Sequence, residues 1–175
     1  MRRISVSLLL LVLCSATAVH AQTPAPKPDP ELKKLNILLG YWALEGESQP
    51  EPWGPAGKFT FEEGTRWTLG GFYLETRSKQ SREIDAYDPA NKNFTFAVYN
   101  DDGSTYSGVF TINGKTETYS GTGFLAGKRC QIMGTVIFAP DFLSYAWKQE
   151  FSTDGKTWTL GWEAKGTKVK PQPTS

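Results

Sequence analysis

Carboxylates are the residues of this sequence with the clearest potential for chemistry, because histidine is represented only by His20. Glu62 with Glu63, and Asp85 with Asp88, are close pairs that could serve as acid and base on a glycosidic bond. Sequence spacing does not set the distance between the carboxyls of a pair, and solvated strand faces or turn caps explain the same residues. We therefore assign no catalytic residue, and a histidine-free enzyme of unknown reaction stays open.

Cys130 is the candidate nucleophile of the chain. Lys128 and Arg129 precede it and would lower the pKa of its thiol, but a role as a small buried hydrophobe competes with reactivity. Cys14, the other cysteine, lies in the N-terminal leader described below, so no intramolecular disulfide is expected. The run Asp101-Asp102-Gly103-Ser104 begins like a calcium loop but lacks the later ligands, so it predicts a hairpin turn, and no metal site is assigned.

Aromatic side chains are the candidates for binding a ligand. In the barrel inferred below, large rings fall on the presumed inner face, and a barrel of this size either fills its interior or leaves a cavity for one small molecule. Four polar residues are candidates to orient a ligand at the rim, with solvated outer positions as the alternative: Arg66, Glu75, Arg77 and Tyr99. The predicted ligand-binding residues are Phe61, Trp67, Phe72, Phe96, Phe110, Trp147 and Trp162.

The N-terminus has the pattern of a secretory signal peptide. Two arginines precede an apolar run over residues 7–13, and small residues lead to Ala21. We expect cleavage between Ala21 and Gln22, which defines a signal peptide over 1–21 and an exported protein, periplasmic or extracellular. The apolar run is too short to span a bilayer, and no later segment predicts a transmembrane helix.

Charge and histidine content narrow the range of partners. The chain carries 19 lysines and arginines against 18 aspartates and glutamates, and loss of the leader leaves it close to neutral. With no basic run, nothing favours nucleic acid or an anionic membrane surface as a partner. Because His20 would leave with the leader, haem or zinc bound through histidine is excluded in the mature chain. No cofactor is expected, a small apolar ligand is the expected partner, and the oligomeric state is open.

A short helix is predicted to precede the strands. Residues 22–30 contain four prolines and read as an extended linker. Asp29 is suited to cap the helix and Gly40 to end it. Between them one apolar stripe at i, i+3 and i+7 is formed by Leu32, Leu35 and Leu39.

From Tyr41 to Lys165 the apolar residues follow a period of two, which predicts β-strands. Hairpin signals such as Asn113-Gly114 and Asp154-Gly155 recur every 10–15 residues or so, roughly, which leaves no room for crossover helices. About ten antiparallel strands in a meander must hide their edges, which predicts closure into a barrel. The domain is expected over 31–166, a bulge at Gly64, and a disordered tail over 167–175.

Three motifs carry a resemblance to a known family. Gly40-Tyr41-Trp42, at the entry to the first strand, resembles the Gly-x-Trp of lipocalins and other calycin barrels. Asp85-x-Tyr87-Asp88-Pro89 and Asp154-Gly155-Lys156-x-Trp158 are, in this order, similar to motifs of an exported bacterial lipocalin-like family of unknown function, distantly related to nitrobindin-like barrels. The resemblance covers 32–165 and implies an all-β, ten-stranded lipocalin-like barrel with a short helix capping one end.

The resemblance bears on the floor of the barrel and not on its ligand. Gly40 and Trp42 are expected to form that floor, with Trp42 packed near the helix and a late basic residue such as Lys165. Nitrobindins hold haem through a histidine, which the mature chain cannot supply. The identity of the ligand therefore stays open.

Three hypotheses for function follow. The leading one is an exported lipocalin-like barrel that binds or carries a small hydrophobic or aromatic molecule. The alternative is a packed barrel whose surface, including Trp53 in the loop Pro50 to Gly57, contacts an envelope protein or a glycan. A cavity above about 300 Å³ separates these two hypotheses. A histidine-free enzyme ranks third, and two carboxylates converging in a cleft with displaced pKa values would favour it.

Overall fold

The computed structural model describes residues 26–50, 55–125 and 127–170. The predicted signal peptide over 1–21 and Trp53 lie outside the described residues, as does the first part of the proline-rich linker. None of the helices in the described ranges has the length and hydrophobicity that a membrane-spanning helix needs.

Ten antiparallel strands form one closed barrel, as predicted. Each strand pairs with its neighbours in sequence, and the first pairs with the last, so the meander has no open edge. A three-residue 3₁₀ turn, Leu69–Gly71, joins the second and third strands. The strands are β1 (Gly40–Ser48), β2 (Gly57–Thr68), β3 (Tyr73–Ser78), β4 (Ser81–Asp88), β5 (Asn93–Asn100), β6 (Thr105–Asn113), β7 (Thr116–Leu125), β8 (Lys128–Phe138), β9 (Ser144–Ser152) and β10 (Thr159–Val169).

The predicted N-terminal helix is present, but it is a 3₁₀ helix, Pro30–Leu38. Asp29 caps it as expected, since its carboxylate accepts a hydrogen bond from the Glu31 backbone N–H at 2.8 Å. With three residues per turn, positions i, i+3 and i+6 share a face. Leu32 and Leu35 are therefore buried together with Leu38 following on the same face, and the stripe does not continue to Leu39 as predicted.

The strand details correct the sequence prediction in three places. No register shift occurs at Gly64, which pairs regularly with Tyr41 and Arg77, so the predicted bulge there is wrong. The irregularity lies in β10 instead, between Leu160 and Trp162. β10 also runs to Val169, beyond the expected domain end at 166, because its last residues pair with the start of β1.

The helix end of the barrel contains most of the packed core. Leu32 and Leu35 lie against Leu74, Phe94 and neighbouring apolar residues of the barrel. A second cluster is formed by Trp42, Leu44, Phe138 and Tyr145. The helix thus closes one end of the barrel and leaves the space above the core to define a site.

Candidate functional site

A cavity of about 570 Å³ occupies the barrel interior. Leu38 and Trp42 line it at the end closed by the 3₁₀ helix. At the opposite end it reaches Gln80, Asp101 and Asp102, which are exposed in the turns after β3 and β5. The volume lies within the range of small-molecule sites, about 300–1,000 Å³.

Five of the seven predicted ligand-binding residues come together in the wall of this cavity. They are Phe61, Phe96, Phe110, Trp147 and Trp162. Trp147 and Trp162 pack edge to face with their ring centroids 5.4 Å apart. Trp67 and Phe72 do not line the cavity, so the structure does not bring them into the predicted site. Contact of the five lining rings with a ligand stays a prediction.

Trp67 and Trp42 hold the 3₁₀ helix to the barrel. The indole N–H of Trp67 donates to Asn36 Oδ1 at 3.1 Å, and that of Trp42 donates to the Leu38 carbonyl at 2.8 Å. Trp42 is almost fully buried, and the basic group over its ring is Lys168 at 5.0 Å, not Lys165. Lys165 is exposed on the outer face, since successive residues of a strand point to opposite sides.

Gly40 begins β1 at a positive φ of 117°, where a residue with a Cβ is strained. A Cβ at this position would also lie 2.8 Å from Lys168 Cε. Gly40 therefore lets the chain turn from the 3₁₀ helix into the barrel close to the side chain that covers Trp42.

A hydrogen-bonded chain of side chains crosses one side of the cavity. The Trp147 indole donates to the Tyr119 hydroxyl at 2.7 Å, and that hydroxyl donates to Gln149 Oε1 at 2.6 Å. These bonds fix the Gln149 amide so that its Nε2 faces away from Tyr119. Gln149 Nε2 and Trp162 Nε1 are buried donors with no protein partner, and both residues line the cavity.

Four acidic side chains from three strands line the same cavity, and we call them the interior carboxyl cluster: Glu63 on β2, Glu83 and Asp85 on β4, and Glu117 on β7. The carboxyls of Glu83 and Asp85 are hydrogen-bonded to each other. Two carboxyl groups can share such a bond only when one of them carries a proton. The other Asp85 oxygen, Oδ1, is buried without a partner. Glu63 accepts a hydrogen bond from the Tyr145 hydroxyl at 3.3 Å.

Burial dominates the electrostatics of the cluster. It raises the pKa of Glu117 to about 8 and that of Glu63 to about 7, and the nearby Glu83 raises both further. Burial also raises the pKa of Glu83, and it raises the pKa of Asp85 well above its usual range, with Glu83 adding to the shift. The remaining solvent contact of the three glutamates is with the cavity that they line.

No lysine, arginine or histidine belongs to the described residues that line the cavity. A buried carboxylate without a basic partner is unfavourable, so the cluster responds by holding protons. Nowhere in the described ranges do three acidic, cysteine or histidine side chains converge closely enough to hold a metal ion. The arrangement is suited to hydrogen bonding and to proton exchange inside a cavity walled by aromatic rings.

Comparison with known proteins places the chain in a family. Residues 27–139 match the family described as "Protein of unknown function (DUF1579)". The chain belongs to this family. No curated protein matches this DUF1579 chain. Its fold is similar to that in the crystal structure of Rv2717c from M. tuberculosis, with a TM-score of 0.54 and 13% identity over 82% of this chain and 100% of that chain. At this identity the likeness concerns the fold alone.

The polar residues predicted at the rim lie elsewhere in this DUF1579 protein. Glu75 is on the outer face of β3, where its carboxylate pairs with Arg66 at 3.4 Å and Arg77 at 2.7 Å. Tyr99 is exposed on β5 and does not line the cavity. These four residues therefore take the solvated outer positions that were the alternative.

The predicted acid–base pairs are separated by the strand alternation. Glu63 and Asp85 point into the cavity, whereas Glu62 is exposed on the other face of β2. Asp88 caps the turn after β4, where it accepts hydrogen bonds from the backbone and side chain of Asn91. Neither pair converges, so the acid–base interpretation of these two pairs is wrong.

Two further sequence predictions concern local structure. Residues 101–104 form the expected turn between β5 and β6, with Asp102 accepting from both the backbone and the hydroxyl of Ser104. Cys130 is 2% exposed, and burial raises the pKa of its thiol. It therefore has the role of a small buried hydrophobe.

Several residues of the cavity were not foreseen from the sequence. The missed set is Glu83, Tyr106, Glu117, Tyr119, Tyr145 and Gln149. In β4 the residues of one parity are Ser81, Glu83, Asp85 and Tyr87, so the polar set alternates as regularly as the apolar one. That alternation was the available signal.

Proposed function

We propose that this protein binds a small molecule inside its barrel, as an exported lipocalin-like carrier or sequestering protein. The observation that carries the proposal is the cavity of about 570 Å³, whose wall combines large rings with unpaired buried polar atoms. Gln149 Nε2, Trp162 Nε1 and Asp85 Oδ1 lack protein partners in the wall of that space. Buried polar atoms are rarely left unsatisfied, so their convergence supports a partner that enters the cavity.

A probe-binding experiment with a cavity-filling variant tests the proposal. The neutral apolar fluorophore N-phenylnaphthylamine is titrated into the protein, and native mass spectrometry records any ligand retained through purification. We expect saturable binding that is lost in Val136→Trp, because Val136 lines the cavity. Val109→Trp is the matched control, since Val109 is 42% exposed on the outside of the barrel. Binding that is equal in both variants, or absent from the wild type, would reject an interior site.

Export is part of the same proposal. The leader pattern over 1–21 supports it, because a charged start, a short apolar run and a small-residue site are what signal peptidase requires. N-terminal sequencing of protein recovered from the cell envelope and medium is expected to begin at Gln22. Leu10→Arg, which places a charge in the apolar run, is expected to keep the precursor uncleaved in the cytoplasm.

The cavity bears on the packed-barrel alternative as well. That hypothesis required a filled interior, and the volume exceeds the threshold of about 300 Å³ that separates the two. The cavity therefore supports interior binding over an activity confined to the outer surface.

A second candidate function is acid–base catalysis by the Glu83–Asp85 pair. Two hydrogen-bonded carboxyls that share a proton, with raised pKa values, are an arrangement that activates water in some hydrolases. Their contact is closer than the roughly 5–9 Å between the carboxyls of glycosidases, so glycoside hydrolysis is disfavoured. Screening ester, amide and glycoside substrates with wild type and Asp85→Asn tests this candidate. Any hydrolysis that Asp85→Asn leaves unchanged would count against the pair.

A further inference from the structure

The wall of the cavity carries a strong imbalance between acidic and basic side chains. Four carboxyls face the space and no basic side chain among the described lining residues offsets them. Their sum of negative charge is avoided only while protons remain bound. A ligand that supplied positive charge would remove the reason for holding every proton.

A second observation points independently to a ligand at this place. Asp85 is 2% exposed, and its Oδ1 lacks a protein partner although Oδ2 remains available for the bond to Glu83. An unpaired buried carboxyl oxygen loses hydrogen-bond energy that a donor in the cavity would restore. An ammonium group offers up to three such donors.

The surrounding rings suit the remainder of such a ligand. Phe61, Trp147 and Trp162 line the same space, and aromatic faces attract cations and pack apolar groups. The unpaired donors Gln149 Nε2 and Trp162 Nε1 would accept a ligand atom with a lone pair. Room for one small organic molecule is therefore lined by acceptors for a cation, rings for its body and donors for one polar substituent.

From this geometry we infer that the cavity selects a small organic cation, an amine on an aromatic or apolar body, and that the interior carboxyl cluster releases a proton as the cation enters. The inference rests on the proposed function, because it names the ligand class of the same cavity. In the exchange a carboxyl O–H bond breaks and its proton passes to water. The carboxylate that remains accepts a hydrogen bond from the ammonium group, so the charge inside the barrel is unchanged.

The titratable groups that face the cluster are known for each element of the wall. Besides the cluster on β2, β4 and β7, they are the hydroxyls of Tyr106 on β6, Tyr119 on β7 and Tyr145 on β9, and Asp101 and Asp102 at the rim. Burial raises the pKa of all three tyrosines, so they stay protonated as donors. The lining residues from β1, β3, β5, β8 and β10 are not ionisable. Protons released near neutral pH therefore come from the cluster.

Three probes with one ring system and different charges test the inference by calorimetry: tryptamine, tryptophol and indole acetate. We expect tryptamine to bind at least about tenfold more tightly than tryptophol at pH 7.5, since a charged hydrogen bond contributes about 1.5–3 kcal/mol. Indole acetate, an anion, is expected to bind most weakly. Titrations in two buffers of different ionisation enthalpy should show release of up to one proton with tryptamine and none with tryptophol. Affinity for tryptamine should rise with pH between about 6 and 8.

Matched variants place the effect in the cluster. Glu63→Gln and Asp85→Asn are expected to remove most of the preference for tryptamine over tryptophol and the proton release. Glu62→Gln, one position away on the outer face of β2, should leave both unchanged.

The outcomes separate the inference from the function on which it rests. If tryptophol or indole acetate binds in the cavity as tightly as tryptamine, selection for a cation is wrong while interior binding holds. If tryptamine binds tightly without proton release, or Glu62→Gln lowers its affinity as much as Glu63→Gln does, the role of the cluster is wrong. If no probe binds and N-phenylnaphthylamine does not either, the proposed function fails together with the inference.

Discussion

Glu83 and Asp85 lie two residues apart on β4 and share a hydrogen bond between their carboxyl groups inside the barrel. Side chains at i and i+2 of a strand point to the same face, which explains why neighbours of like charge meet there. Glu63 and Glu117 add negative charge to the pair from two other strands, and burial raises the pKa of all four groups. The protein should therefore fold around bound protons.

Thermodynamic linkage gives this arrangement a sign. A carboxyl whose pKa is higher in the folded than in the unfolded protein stabilises the fold below its unfolded pKa, and the stabilisation is lost as pH rises through the folded value. With unfolded values near 4.3 and folded values of about 7 for Glu63 and about 8 for Glu117, the window is pH 5–8. We expect the free energy of unfolding in urea to fall by about 2–4 kcal/mol from pH 5 to pH 8.

Glu117→Gln is the variant for this prediction, because the amide keeps the shape of the side chain and removes its titration. It should flatten the pH dependence and stabilise the protein at pH 8, whereas the exposed Glu62→Gln should do neither. Asp88 and Asp102 do not interfere, since hydrogen bonds lower their pKa values and their effect falls below this window. A free energy of unfolding that rises between pH 5 and pH 8 would contradict the prediction.

Trp42 should contribute strongly to stability. It is 1% exposed, contacts Phe138 and Tyr145, and bonds to the Leu38 carbonyl at the end of the 3₁₀ helix. We expect Trp42→Ala to lower the free energy of unfolding by about 3–5 kcal/mol in urea titration, because a large buried ring is removed. Trp42→Phe keeps a ring and loses the hydrogen bond, so its effect should be clearly smaller. Equal effects of the two substitutions would mean that the hydrogen bond, and not the packing, matters.

The sequence predicted the scaffold well because turns and alternation are local signals. Paired Gly residues with Asn or Asp mark hairpins, and the Gly114, Gly127 and Gly155 turns all have positive φ as such signals require. Closure follows from the physics of exposed edges. The 3₁₀ geometry of Pro30–Leu38 was missed because leucines at i and i+3 lie close together on either kind of helix.

The polar half of the site was missed for a physical reason. Alternation shows which residues share a face, but the usual assumption that the apolar face is inside fails where the interior is a cavity. In β4 that assumption selected Ile84 and Ala86 over Glu83 and Asp85. β7 was not identified as a strand, although turn signals bracket it, because its inner residues include Glu117, Tyr119 and glycines. Whether rings fill a barrel depends on side-chain packing across the strands, which periodicity does not encode.

Cys130 should be inert in the folded protein. Burial raises its pKa and excludes reagents, so neither the thiolate nor access to it is available. In a chain carrying Cys14→Ser, Ellman's reagent at pH 7.5 is expected to label no thiol within minutes and one thiol in urea. Labelling without denaturant should follow the rate of unfolding. Prompt labelling of the native protein would show that Cys130 is accessible and would revive its candidacy as a nucleophile.

Gly166 on β10 lies directly beneath the ring of Tyr145 on β9, its partner in the sheet. All three atoms nearest to a Cβ built at Gly166 belong to that ring, so an added methyl group would displace it. We expect Gly166→Ala to destabilise the protein by about 1–3 kcal/mol, the usual range for overpacking. In a Tyr145→Ala background the same substitution should be nearly neutral, because the ring is gone and alanine suits a strand better than glycine does. Gly161→Ala is the control: its Cβ would meet Phe151 instead, so its effect should be the same with and without Tyr145→Ala. A Gly166→Ala effect that persists in the Tyr145→Ala background would place the strain in the backbone of β10 and not in the packing of this ring.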